Sequence, residues 1–143
     1  MPIPALRPDG YLPDGIHGCT KEELLERSGG GNARRKRLGA RIKHWLDLGR
    51  AVGARRLLVD GSFITSKREP ADVDAVIQLT AEFAHAMQQG DEAALELFEI
   101  ITTRQPEELF AAEDDQDWER WAGFFSRTRE PDGRRKGLLE VAL

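Results

Sequence analysis

Apolar residues recur at helical spacing along much of the chain. Leu38, Ile42, Trp45 and Val52 stand four, three and seven residues apart, which makes one apolar stripe on a helix predicted from about Asn32 to Ala51. Gly39 and Gly49 fall inside that helix, and Gly53 is its expected stop. A shorter helix is predicted to open at Thr20. There Thr20-Lys21-Glu22-Glu23 fits a capping box, and Gly29-Gly30-Gly31 ends it. Thr80 to Gln89 reads as a helix closed by Gly90. Asp91 to Thr103 reads as another, capped by Asp91, with Leu95, Phe98 and Ile101 or Thr102 on its buried side. Pro106 breaks the pattern. Asp115 starts a further helix carrying Trp118, Trp121, Phe124 and Phe125, and these aromatics and Trp45 are expected in the core.

Three segments carry strand patterns. Leu57-Leu58-Val59 reads as a short buried strand ending at Asp60. Asp72 to Ile77 reads as a second, with Val73, Ala75 and Ile77 on one face and Asp72, Asp74 and Val76 on the other. Gly137 to Leu143 reads as the last strand, after a turn at Pro131-Asp132-Gly133. Gly61 to Pro70 is a loop. Four of the seven prolines fall within residues 1–18, interleaved with glycines, so this stretch reads as an extended N-terminal arm that is ordered only if it lies on the domain. Residues 19–143 then form a single domain. The fold class expected is α/β (α+β), a small mixed β-sheet covered by helices.

Composition narrows the function. The chain has 143 residues, is 40% hydrophobic and 32% charged, and carries a formal charge of −4. A modest core is affordable, and a strongly basic nucleic-acid binder is disfavoured. One cysteine, Cys19, excludes an internal disulfide framework and a Cys-rich zinc site. No apolar run approaches the roughly 20 residues that span a bilayer. The first residues lack a basic stretch followed by an apolar one, so no secretory signal is read and a cytoplasmic protein is expected.

The chemistry lies between Gly61 and Asp74. Two residues apart in a strand, Asp72 and Asp74 project their carboxylates from one face, with Cβ atoms roughly 6.5–7 Å apart. Their hard oxygens suit Mg²⁺ or Mn²⁺, which would offset their mutual repulsion. Gly61-Ser62 follows a strand directly. Glycine admits a phosphate close to the backbone, and N–H groups plus the Ser62 hydroxyl can hold its oxygens. Thr65 adds a hydroxyl and Lys67 a positive charge. A phosphate cradle beside metal carboxylates is the minimum kit for phosphoryl or nucleotidyl transfer.

Gly-Ser, about ten residues, then Asp-x-Asp flanked by apolar residues resembles the signature of the polymerase-beta-like nucleotidyltransferase superfamily, whose small members are the minimal nucleotidyltransferases. The wider pattern is similar to a group of short bacterial members. These open with Leu-Pro-x-Gly-Ile-His, as Leu12 to His17 does, continue with Asp-Gly-Ser-Phe-x-Thr, as Asp60 to Thr65 does, and close with Lys-Gly and an apolar strand, as Lys136 to Leu143 does. The resemblance implies a nucleotidyltransferase-type sheet in which Gly61 and Ser62 contact the triphosphate and Asp72 and Asp74 bind metal. It also implies a third carboxylate from a neighbouring strand, as general base or metal ligand. Glu140, a lone acid inside the apolar strand Leu138 to Ala142, is the candidate, although the family often has Asp there.

Other features have plainer readings. The cluster Arg34-Arg35-Lys36-Arg37, continued by Arg41 and Lys43, either grips a polynucleotide or nucleoside triphosphate or forms a solvated helix face. Arg127, Arg129, Arg134, Arg135 and Lys136 form a second basic run. If both border the carboxylates, RNA becomes a plausible acceptor. The acidic run Glu107 to Glu119 reads as a solvated face or a dock for a basic partner. His17, His44 and His85 have no metal-ligand spacing, and His17 is placed to tie the arm to the domain. Ser62 lacks the Gly-x-Ser-x-Gly elbow of a serine hydrolase. Two functions are therefore expected to compete. One is Mg²⁺-dependent transfer of a nucleoside monophosphate from NTP to a hydroxyl on a protein, RNA or small molecule. The other is a catalytically weak or inactive binding module of the same fold, antitoxin-like, acting with a partner protein.

Overall fold

The computed structural model describes residues 3–103 and 108–143. Pro2 of the arm, Pro106 and Glu107 at the head of the acidic run lie outside the described residues. The chain forms a five-stranded mixed sheet in the order β1-β5-β2-β3-β4, where β1 is Ile16–Cys19, β2 Arg56–Asp60, β3 Asp74–Gln78, β4 Glu108–Ala112 and β5 Leu138–Ala142. β2 runs antiparallel to both β5 and β3, while the outer pairs β1–β5 and β3–β4 are parallel. The α+β class expected from the pattern holds.

Five α-helices accompany the sheet among the described residues: α1 Lys21–Ser28, α2 Ala33–Ala51, α3 Ala81–Gln88, α4 Glu92–Thr103 and α5 Asp115–Phe125. They divide unequally between the two faces. Leu57, Val59, Ala75, Ile77, Leu139 and Val141 pack into the larger core with Leu24 of α1, the Leu38, Ile42 and Trp45 stripe of α2, and Ala94 and Leu97 of α4. Leu58, Val76 and Leu138 point the other way, under Trp118, Ala122 and Phe125 of α5. The two-residue alternation of each inner strand thus feeds two separate cores. Because α5 is only 11 residues long, it covers one end of its face and leaves the other end open.

Local signals explain most boundaries. Thr20 and Glu23 complete the predicted capping box: Thr20 Oγ1 accepts from the Glu23 N–H at 3.1 Å, and Glu23 Oε1 accepts from the Thr20 N–H at 2.9 Å. Asn32 caps α2 and Asp114 caps α5 in the same manner, each accepting a backbone N–H three residues on. The glycines inside α2 mark close approaches. A Cβ on Gly39 would lie 3.1 Å from Gly29 Cα, and one on Gly49 would lie 2.9 Å from Ile77 Cδ1.

Three expectations need correction. α4 buries Ala94 and Leu97, one residue out of phase with the predicted Leu95 and Phe98, which are 47% and 49% exposed. The shift brings small Ala94 against α2, and the larger side chains are turned outward. Phe124, expected in the core, is 57% exposed, whereas Trp118 and Phe125 are buried as expected. Two strands were not expected. β4 lies in the acidic run, where its apolar centre, Leu109 to Ala112, is flanked by carboxylates, and β1 occupies the end of the arm.

The arm lies on the domain. Leu12 is buried, its carbonyl accepts from the Gly137 N–H at 3.0 Å, and the Gly15 carbonyl accepts from the Leu138 N–H at 3.0 Å. His17 Nε2 is 2.7 Å from the Pro13 carbonyl, so His17 braces the bend into β1. A Cβ on Gly137 would sit 2.0 Å from Pro13 O, which makes this the crossing point of arm and β5. Gly137→Ala is expected to destabilise the protein by about 1–3 kcal/mol through overpacking. A urea titration checks this, and an unchanged midpoint would mean that the arm is not held there.

Candidate functional site

The open end of the α5 face carries acids. Asp60, the last residue of β2, stands in register with Asp74, the first of β3, and Asp74 in turn with Glu108, the first of β4. Residues directly opposed in this way have Cβ atoms about 5 Å apart, and like charges there repel. The next row inward holds Leu58 and Val76, packed under α5, with Glu140 opposite Leu58 on the other side. Asp60 is buried and Asp74 half-buried. Burial first, and then the negative charges of Asp72, Asp60 and Glu108, push the Asp74 carboxyl up to about 7, against the pull of Lys136. Asp60 is also raised, chiefly by burial. Lys136, whose Nζ is 2.9 Å from Asp60 Oδ1, and the Gly61 N–H oppose that rise.

The Gly61-Ser62 turn joins this row to Asp72. Gly61 has φ +96°, and a Cβ on it would lie 3.0 Å from both Asp74 N and Val73 Cα. Glycine is required because the backbone of residues 72–74 presses against it. A single 3₁₀ turn, Ser62–Ile64, follows and buries Phe63 and Ile64. Asp72 precedes β3 instead of opening it, because its groups pair with this turn. Its carbonyl accepts from the Phe63 N–H at 3.2 Å. Its Oδ1 accepts from both the Ser62 N–H at 2.9 Å and the Ser62 hydroxyl at 2.8 Å. The Ser62 oxygen accepts in turn from the Ala71 N–H at 2.9 Å. Both donors of the expected phosphate cradle therefore hold a carboxylate of the same chain.

The loop between Ser62 and Asp72 is fastened by the start of α2. Arg35 donates to the carbonyls of Phe63 at 2.7 Å, Thr65 at 2.9 Å, Lys67 at 2.5 Å and Ser28 at 3.2 Å. Arg34 donates to the carbonyls of Pro70 and Ala71, both at 2.7 Å, and Asn32 Nδ2 donates to Arg68 O at 2.8 Å. Arg34 and Arg35 are thus engaged by the loop backbone, while Lys36, Arg37 and Lys43 of the same cluster lie exposed. The Arg34 and Arg35 guanidiniums carry fixed forks of donors that suit a chain of carbonyls with no ladder partners. Thr65 is also structural in part, since its hydroxyl donates to Ser62 O at 2.7 Å.

The turn, the loop and Asp74 border one hollow of about 640 Å³, whereas Asp60 and Glu108 stand in register with Asp74 without lining it. Gly61, Ser62, Thr65, Lys67, Asp72 and Asp74 all line it, as the sequence suggested. Asp9, Gly10 and Tyr11 of the arm, together with Arg129 and Lys136, complete its wall. A neighbouring hollow of about 380 Å³ lies across Thr65, Ser66 and Lys67, and no acid among the described residues lines it. Residues 4–142 match a family of unknown function, DUF6932. The chain belongs to that family. Neither a curated protein nor a solved structure matches it. The DUF6932 match takes in the arm as well as the domain, in keeping with the arm's place on the wall of the hollow.

Glu140 does not join the acids of this DUF6932 chain. It stands opposite Leu58, one row inward from Asp60, and does not line the hollow. Its Oε1 is 3.5 Å from Arg56 Nη1. The Arg56 guanidinium lies 4.1 Å over the Trp118 ring and donates to Gln78 Oε1 at 2.8 Å. Register places Glu108 beside Asp74 instead. Asp60, Glu108 and Lys136 were not singled out as site residues, although Asp60 is visible as the acid preceding Gly-Ser and Lys136 as the base before the last strand. Glu108 was hidden because β4 was not recognised in the acidic run. Of the second basic run, Arg129 and Lys136 reach the hollow. Arg134 turns to Asp132 and Asp9, and Arg135 donates to Gly123 O and Ser126 Oγ. Burial foremost, then the nearby Glu23 carboxylate, lifts the Cys19 thiol to about 11. Among the described residues, no group of three His, Cys, Asp or Glu side chains is arranged to hold an ion as it stands. No helix among them is long and apolar enough to cross a membrane.

Two measurements probe this arrangement. Arg35→Ala leaves at least three loop carbonyls without their charged donor and is expected to cost about 2–4 kcal/mol. A destabilisation under 0.5 kcal/mol in denaturant melts would show that the loop holds its shape unaided. The raised Asp74 carboxyl sets a pH slope. Between about pH 4 and 7 the folded chain keeps a proton that the unfolded chain has lost, so stability falls as pH rises through that window. Asp74→Asn is expected to flatten the slope in melts from pH 4.5 to 8, leaving only the smaller contribution of the same sign from Asp60. Parallel profiles for the two proteins would refute the assignment.

Proposed function

We propose that the protein is a Mg²⁺-dependent nucleotidyltransferase of the polymerase-beta-like superfamily. In this reading it moves a nucleoside monophosphate from NTP to a hydroxyl acceptor and releases pyrophosphate. The observation that carries the reading is the meeting of Gly61-Ser62, Asp72 and Asp74 with Lys67, Arg129 and Lys136 around a single open hollow. Acids alone would repel a triphosphate. Acids next to three cations and a Ser-bearing turn suit a metal–triphosphate complex, whose charges alternate in the same way.

The donor set fits the ion. Mg²⁺ prefers oxygen, keeps several waters and is commonly held by one or two carboxylates plus substrate phosphates. Asp74 and Asp72 would supply the carboxylates, with Glu108 and Asp60 beside them. When bound, the ion would supply charge neutralisation at the α-phosphate and at the departing pyrophosphate. Ser62 would hold phosphate oxygens through its N–H and hydroxyl once Asp72 turns from it. Lys136 and Arg129 would draw in the triphosphate and stabilise charge on the leaving group. A carboxylate of the Asp60–Asp74–Glu108 row would take the acceptor proton as the acceptor oxygen bonds to the α-phosphorus and the bond to the β-phosphate oxygen breaks.

One observation favours the second reading, a module of the same fold that does not turn over and acts with a partner protein. Both Ser62 donors are already satisfied by Asp72. The acceptor, whether protein, RNA or small molecule, is left open by either reading.

The deciding experiment incubates the protein with Mg²⁺ and α-labelled NTP and follows transfer to itself, to total RNA and to cell extract. Asp72→Ala and Asp74→Asn are each expected to reduce labelling at least 100-fold while leaving the far-ultraviolet circular dichroism unchanged. Labelling that survives in both variants would remove the proposal. No labelling in the wild type, with tight Mg²⁺-dependent triphosphate binding retained, would favour the second reading.

A further inference from the structure

We infer that Tyr11 forms a nucleobase subsite, so that the N-terminal arm supplies the surface on which the base of the nucleotide stacks. The inference rests on the nucleotide reading of the hollow and deepens it by naming what holds the base. Four observations support it.

First, Tyr11 is the chain's single tyrosine and, among the described residues, the one aromatic on the wall of the hollow. Second, its ring is not consumed by the core. Tyr11 is only partly buried, and the buried anchor of the arm is its neighbour Leu12, at 2% exposure. Among the described residues its hydroxyl makes no hydrogen bond. Third, its backbone is bolted in place. The Tyr11 carbonyl accepts from the Arg7 N–H at 2.7 Å, and its N–H donates to Asp9 Oδ1 at 3.1 Å. On either side of it, the Gly10 carbonyl accepts from the Ser66 N–H and the Leu12 carbonyl from the Gly137 N–H, both at 3.0 Å. Gly10, at φ +90°, lies so close to the loop that a Cβ would fall 2.4 Å from Ser66 Oγ. A ring carried on such a backbone loses little entropy on stacking.

Fourth, the arm adds no cation of its own to the hollow. The groups that suit phosphate, Ser62, Lys67, Arg129 and Lys136, and those that suit a cation, Asp72 and Asp74, belong to the loop, β3 and the segment before β5. The arm contributes Asp9, Gly10 and Tyr11, with no cation among them. A triphosphate drawn to the first groups leaves the uncharged end of its nucleotide to the arm. There an aromatic face offers stacking that tolerates any base, since every base has a π-face.

The test compares two probes on the full chain by titration calorimetry in Mg²⁺: inorganic triphosphate, which has no base, and ATP, GTP and CTP, which do. The wild type is expected to bind each NTP about tenfold or more tightly than triphosphate. Tyr11→Leu keeps apolar bulk on the arm and is expected to bring NTP affinity down to that of triphosphate, without changing triphosphate affinity. Tyr11→Phe is expected to retain the wild-type difference. Equal NTP affinity in Tyr11→Leu and wild type overturns the inference while leaving the nucleotide reading intact. So does a parallel loss of triphosphate and NTP binding, which would make Tyr11 a brace of the arm. Failure of the wild type to bind triphosphate or NTP at all overturns both.

Discussion

The site depends on Arg35 reaching from the first turn of α2 into the loop that follows β2. The thirteen residues that join β2 to β3 have no ladder of their own, and their carbonyls must find donors elsewhere. Arg35 gives one guanidinium to the carbonyls of Phe63, Thr65 and Lys67, and Arg34 and Asn32 take those of Arg68, Pro70 and Ala71. The loop is thereby tied to a 19-residue helix whose far side is buried in the larger core. Core packing of α2 is transmitted to Ser62 and Asp72 through hydrogen bonds from charged donors, the stronger kind. Burial lowers the pKa of Arg35, but a guanidinium stays charged, so the clamp does not loosen with pH.

What the clamp holds is unfavourable by itself. Register brings Asp60, Asp74 and Glu108 into one row, and Asp72 sits beside them. Such a row has a cost in folding free energy that grows with ionisation, and it adds to burial, the foremost cause of the raised Asp74 carboxyl. Lys136 offsets part of it through Asp60. The remainder persists because strand register, set by the two cores, overdetermines the position of the acids. Strain of this kind gathers where a protein holds ready a place for charge to be added.

Legibility in the sequence followed the range of the interactions. Capping residues, glycine stops and the α2 stripe act within a turn or two, and Thr20, Asn32, Leu38 and Trp45 all sit as their spacing predicts. The meeting of Gly61, Ser62, Asp72 and Asp74 at one hollow was legible because one short stretch of chain carries them. Pairing across the sheet was not. Glu140 and Glu108 are both acids within apolar strands, and only register, fixed by Leu58 opposite Glu140 and Asp74 opposite Glu108, distinguishes their roles. The phase of α4 failed for a related reason. Leu95 and Phe98 satisfy the helical period as well as Ala94 and Leu97 do, and the choice is made by α2, against which α4 packs. The double use of arginine was hidden as well. Charge clustering signals a cationic face, and nothing local to Arg34-Arg35 reveals that carbonyls some thirty residues away will claim it.

The contact between Ser62 and Asp72 links these two levels. Asp72 Oδ1 occupies the N–H and hydroxyl that an incoming phosphate oxygen would use, so a carboxylate stands where an anion belongs. An anion and a carboxylate cannot share those donors. In the proposed reading, phosphate binding at Ser62 therefore requires Asp72 to turn away, and its turned carboxylate adds negative charge beside Asp74 unless a cation is present to receive it. Cation and triphosphate then bind with positive coupling, each removing a cost the other would otherwise meet. The coupling needs no movement of the sheet or of α2, because the Arg35 clamp holds the loop backbone by its carbonyls and leaves the Ser62 and Asp72 side chains free to exchange partners.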